Sequence, residues 1–227
     1  RNSPICFKKY DLIMDEEISI INEKTRNEKI KNFFITNKKF LLLSLAFIIT
    51  TILSFYSFQI YKDNNKKLIS DKYNNAIIKY ENENNSAIVK ELKEIIEGKD
   101  RTYSPLALYF LIDNNLIKKQ NDVNQLFDIL IDKTALENEI KNLIIYKKAL
   151  YNSNFSNESV LLDILNPVIN SDSIWKSHCL YLMAEYFYSK DEKKKSKEFY
   201  EKILNTKNAN QEIALEAQKR LSRDLSE

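Results

Sequence analysis

Residues 40–61 read Phe-Leu-Leu-Leu-Ser-Leu-Ala-Phe-Ile-Ile-Thr-Thr-Ile-Leu-Ser-Phe-Tyr-Ser-Phe-Gln-Ile-Tyr, without one charge, between Lys38-Lys39 and Lys62. A helix rising about 1.5 Å per residue carries such a run across roughly 33 Å, enough for a hydrocarbon core of about 30 Å. A core helix of a soluble protein would show a polar stripe. Ser44, Thr50, Thr51 and Ser54 are too weakly polar to make one, and Tyr56 and Tyr61 stand near one end, where interfacial aromatics belong. The run is too long for a signal-peptide core, lies far from the start and has no small-x-small cleavage site after it. It reads as an uncleaved signal-anchor, so the chain is expected to cross a bilayer once.

Sidedness is not written in the charges. Six Lys or Arg (24, 26, 29, 31, 38, 39) precede the run within 20 residues and five Lys (62, 66, 67, 72, 79) follow it, a difference too small for the positive-inside rule. Cys6 and Cys179 fall on opposite sides of the run and cannot pair within one chain. Met14, followed by Asp15-Glu16-Glu17, reads as the natural start, which makes residues 1–13 an N-terminal extension and 14–39 a short tail before the span.

Beyond the span the chain holds a single glycine, Gly98. Phosphate loops and nucleotide fingerprints need several residues free to take positive φ, so that chemistry is excluded. Long helices with short polar turns are the remaining solution, and no segment alternates in the manner of a strand. The domain is expected to be all-α. Ile69, Tyr73, Ala76, Ile77 and Tyr80 continue the span as a helical stalk over 62–85. Residues 86–227 then form the helical domain. Ile88, Leu92, Ile95 and Ile96 mark a helix with Ser86 as cap and Gly98 as stop; Ser104-Pro105 opens the next as N-cap and N1. Val123, Leu126, Phe127 and Leu130 mark another, and Ile140, Leu143, Ile144 and Leu150 a fifth. A sixth, through Val160, Leu161, Ile164 and Leu165, is discouraged by Pro167. Helices over about 173–190, 192–204 and 209–222 complete the chain.

Helix starts near 104, 135, 173 and 209 recur at 31, 38 and 36 residues, close to the period of about 34 of tetratricopeptide hairpins. Counted from Ser177, Leu180, Met183, Ala184, Phe187, Ser196, Tyr200 and Ile203 occupy the packing positions 4, 7, 8, 11, 20, 24 and 27 of such a repeat, with small residues at 8 and 20. Position 32, normally proline, is Asn208. The expected architecture is a span leading into degenerate tetratricopeptide-like hairpins, a right-handed α-solenoid.

The segment Lys31-Asn32-Phe33-Phe34-Ile35-Thr36-Asn37-Lys38-Lys39, placed before one span, a stalk and degenerate hairpins, resembles the YfgM-type ancillary subunits of the bacterial Sec translocon over about residues 14–225. The resemblance implies an inner-membrane protein with a cytoplasmic N-terminus and a periplasmic domain. It further implies translocon subunits, periplasmic chaperones or emerging client chains as partners.

No catalytic constellation emerges from the sequence. The one histidine, His178, abuts Cys179, and neighbours on a helix diverge by about 100°, so they do not converge on a metal or form a nucleophile–base pair. No cofactor, metal, nucleic acid or small-molecule substrate is expected. A net charge of +3 leaves no footprint for nucleic acid, and Lys193–Lys197 among Asp191, Glu192 and Glu198 reads as a solvated face. The residues of interest are His178, Tyr181, Glu185 and Tyr188, which fall at the groove-lining positions 2, 5, 9 and 12. Two readings stand: a protein-binding groove, or aromatics packed against the next helix. The alternative functions are a scaffold of envelope assembly or division, a cytoplasm-facing receptor, and an enzyme with an unrecognised site, which the lack of Gly, His and motifs disfavours.

Overall fold

The computed structural model describes residues 25–82 and 85–225. The extension 1–13, with Cys6, and the start at Met14 lie outside them. The described residues are helical, with no strand among them. The chain divides into two units, residues 1–64 and 65–227.

In the first unit, residues 25–36 form α1, and α2 (Lys38–Asn82) begins after a turn at Asn37. Asn37 keeps the hydrogen-bond ladder going: its amide donates to the Phe33 carbonyl at 3.0 Å, and its carbonyl accepts from Leu41 N–H at 2.9 Å. The most apolar stretch of α2 has a mean hydropathy of 2.1 and none of it is buried against protein. Three of its hydroxyls are satisfied within the helix: Ser44 donates to the Leu41 carbonyl at 2.9 Å, and Thr50 and Thr51 both donate to the Phe47 carbonyl at 2.9 and 2.8 Å. A helix that satisfies its backbone polar groups internally and presents a mainly apolar surface meets the main requirement for a lipid environment. By length and composition α2 is able to cross a membrane.

In the second unit, residues 65–82 of α2 join α3 (Asn85–Glu97), α4 (Tyr103–Asp113), α5 (Gln120–Asp128) with a π-helical turn at Ile129–Lys133, α6 (Asn138–Asn152), α7 (Glu158–Ile169), α8 (Lys176–Ser189), α9 (Lys193–Leu204) and α10 (Gln211–Asp224). Sequence-adjacent helices pack as hairpins, α3 on α4, α6 on α7 and α8 on α9. Three cores follow one another along the chain. The first gathers Leu92, Ile96, Leu108, Leu111, Phe127 and Leu130. The second centres on Leu161, Leu165, Met183 and Phe187, and the third on Leu180, Ala184, Tyr200 and Ile203. The expected stalk face enters the first core: Ala76 is fully buried, Ile69, Tyr73 and Tyr80 pack against it, and Tyr103 Oη donates to Ser70 Oγ at 2.7 Å.

Local details depart from the expectations. Ser86 lies inside α3 and does not cap it. Gly98 does not take positive φ; Lys99 does, at 56°, and its N–H donates to the Ile96 carbonyl at 3.0 Å. Ser104 is not the N-cap of α4. Asp100 Oδ1 accepts from the N–H groups of Thr102 and Tyr103, each at 2.8 Å, which frees buried Ser104 to donate to Ile95 O at 2.7 Å and tie α4 to α3. A carboxylate is the better acceptor for the orphan amides of a first turn.

The buried face of α6 is also turned. Ile140 and Leu150 are 42% and 45% exposed, while Ile144, Ile145, Ala149 and Asn152 are buried. Asn152 repays this placement by bonding Asn124 through Nδ2 at 2.7 Å and accepting from Gln120 Nε2 at 2.8 Å. Pro167 does not end α7, which runs on to Ile169. The proline ring sits on the exposed face, so its cost is limited to one missing hydrogen bond. Asn208 takes φ 81°, a conformation closed to proline and tolerated by asparagine.

Candidate protein-binding face

Helix α8 has two working faces. Leu180, Met183, Ala184 and Phe187 are buried, as are Ser196, Tyr200 and Ile203 of α9. Ala184 and Ser196 have no exposed surface; side chains this small allow two helix backbones to approach closely. His178, Tyr181, Glu185 and Tyr188 are each half-buried. They share the other face of α8 but meet different neighbours.

Glu185 and Tyr188 meet α10, while Tyr181 meets Tyr200 of α9. Arg220 donates to Glu185 Oε1 from Nη2 at 2.6 Å and from Nε at 2.8 Å, and Nη2 also reaches Oε2. Tyr200 Oη donates to the same carboxylate. The Arg220 guanidinium lies 4.7 Å from the centre of the Tyr188 ring and holds Asp224 Oδ2 at 2.8 Å. Tyr181 and Tyr200 meet edge to face with centroids 5.6 Å apart. Burial pushes the Glu185 carboxyl up, but hydrogen bonds from Arg220 and Tyr200 pull harder and hold it below its ordinary value. Burial and the adjoining carboxylate raise both Tyr181 and Tyr200, so both phenols stay protonated donors.

His178 meets the other side. Its ring lies 4.9 Å from Trp175 and 5.8 Å from Tyr146, and Trp175 stacks on Tyr146 with an interplanar angle of 19°. Burial lowers its pKa against a smaller opposing pull from the Ile174 backbone, which favours the neutral ring at neutral pH. The expected four-residue face is therefore two patches: an aromatic group around His178 and a charged, hydrogen-bonded group around Glu185.

Sequence reading missed Arg220, Trp175, Tyr146 and the polar role of Tyr200. One signal was available. Arg220 lies 35 residues after Glu185, close to the interval at which helix starts recur in the sequence. The same interval recurs in other cross-links: Gln120 to Asn152 at 32 residues, Glu139 to Ser173 at 34, and Ser177 to Asn210 at 33. Among the described residues no group of three or more His, Cys, Asp or Glu is placed to hold a metal. No family model, curated protein or solved structure matches the chain.

Proposed function

We propose that the chain is a membrane-anchored protein-binding scaffold, its hairpins degenerate tetratricopeptide repeats in a right-handed solenoid, serving as an ancillary subunit of the bacterial Sec translocon. In this reading the N-terminus is cytoplasmic and the helical domain periplasmic, where it binds chaperones or emerging clients through the α8 face. The observation that carries it is an apolar helix with none of its most hydrophobic stretch covered by protein, followed among the described residues by helix hairpins. Cross-hairpin hydrogen bonds at 32 to 35 residues support the repeat reading. Half-buried Tyr181 and Tyr188 support the binding reading, since tyrosine offers contact area and a hydrogen bond at low entropic cost.

The test has three arms. Alkaline carbonate extraction should leave the protein in the membrane pellet. Protease added to spheroplasts should remove the C-terminal domain, whereas protection would place it in the cytoplasm. A photo-crosslinker at Phe47 should capture translocon subunits; capture of division or envelope-assembly proteins instead would favour that alternative. Tyr181→Ala with Tyr188→Ala strips ring contacts to Tyr200 and Arg220 and should lower the melting temperature, whereas Tyr181→Phe with Tyr188→Phe keeps both rings and should weaken chaperone or client binding at an unchanged melting temperature.

A further inference from the structure

A cleft of about 350 Å³ opens between the π-helical turn, α6 and α7. It shares no residue with the α8 face and does not depend on the function proposed for that face. Ile131, Ile145 and Ile164 line it with hydrocarbon, and Val160 on its rim is 43% exposed. Asp128, Asp132 and Asp163 also line it, against one cation, Lys148. Lys148 is already committed, with Nζ 2.6 Å from Asp128 Oδ1 and its side chain only 17% exposed. Asp132 and Asp163 are both exposed and have no hydrogen-bond or ion-pair partner among the described residues. The cleft thus combines an aliphatic floor with two unneutralised carboxylates.

The shape selects a chemistry. Lipid phosphate and nucleic acid are repelled by the carboxylates. A metal ion would gain nothing from the isoleucines, and the carboxylates here form no metal-holding group. A long basic side chain satisfies both halves, because its methylene stem covers apolar surface while its charged head reaches outward. The volume lies at the low end for ligand pockets, which suits one such side chain with an aliphatic neighbour better than a cofactor.

We propose that this cleft docks a basic segment of a partner protein, with one lysine or arginine whose stem lies on the isoleucine floor and whose cation meets Asp132 and Asp163. An aliphatic residue beside that cation covers Val160.

The full-length protein in phosphatidylcholine nanodiscs is titrated into the fluorescein-labelled peptide Ser-Leu-Lys-Leu-Arg-Leu-Ser, with anisotropy as readout and empty nanodiscs as background. Binding above background is expected. It should weaken as salt rises and be lost when the peptide's Lys and Arg are replaced by Glu, or its Leu residues by Ser. The double variant Asp132→Asn with Asp163→Asn keeps the side-chain size at two exposed positions, so its helicity should match the parent. It should bind about tenfold more weakly. Tyr181→Phe with Tyr188→Phe, which keeps both rings in place, should bind the peptide as the parent does, which separates this result from the fate of the α8 face. No binding above background, or equal binding by the double Asn variant, overturns the proposal. Sedimentation in which the parent is dimeric and the double variant monomeric would also overturn it, assigning the cleft to a second copy.

Discussion

Arg220 on α10 reaches both oxygens of the Glu185 carboxylate on α8, with the closest Oε1 contact at 2.6 Å. The two side chains are only 17% and 33% exposed, so each would lose its partner in a place where water replaces it poorly. Arg220→Ala is expected to lower stability by about 2 kcal/mol, a fall in melting temperature of roughly 4–8 °C for a unit of this size. Chemical denaturation of both single variants and the double variant gives the coupling, expected to be about 1 kcal/mol. Simple additivity would show that the pair contributes nothing to the fold.

The same carboxylate makes the domain acid-sensitive. Burial raises the Glu185 pKa, the bonds from Arg220 and Tyr200 lower it, and the net displacement is below the ordinary 4.5. A depressed folded pKa means that the unfolded chain takes up the proton first as pH falls. The stabilisation is therefore complete above the ordinary carboxylate range and declines as the pH falls through the folded value. Urea unfolding at a series of pH values should show a shallower acid limb for Glu185→Gln than for the parent. Parallel limbs would remove Glu185 from the account.

Cys179 has no exposed surface, and burial pushes its thiol up to about 12. The thiolate is the reactive form, so the native side chain should resist alkylation. In a Cys6→Ser background, iodoacetamide at about pH 8 is expected to label nothing until denaturant is added. Labelling at the rate of a free thiol under native conditions would contradict the packing of the second core.

Ser196 is fully buried and its hydroxyl makes no hydrogen bond. Ser196→Ala removes an unsatisfied group at little cost in volume, and is expected to raise stability by about 0.5–1 kcal/mol. Ser196→Leu should lower it by roughly 1–3 kcal/mol, because the added carbons have nowhere to go between α8 and α9. A stabilising leucine would mean that the helices are not in close contact at this point.

Much of the architecture was legible from periodicity. The uncharged run at 40–61, the absence of strands among the described residues and the buried set from Leu180 to Ile203 follow from spacing that only a helix satisfies. Helix ends were less legible, since several side chains can serve one terminus. Asp100 took the capping role expected of Ser104, and Lys99 the left-handed position expected near Gly98. The turned face of α6 escaped because Asn152, polar by type, is buried by a network with Gln120 and Asn124 that no local pattern announces. Glu185 fell among residues that read either as a binding groove or as packing against the next helix, and the sequence did not decide between them because its partner lies 35 residues away.

The three cores share only a few side chains at their seams: Ile131 belongs to the first and second, Ile169 and Phe199 to the second and third. Cohesion is thereby handed from neighbour to neighbour, and no single centre holds the whole unit. Damage beyond Ile169 can therefore loosen the C-terminal helices while the first core of this unit stays folded, so local openings need not cost the whole unit its structure.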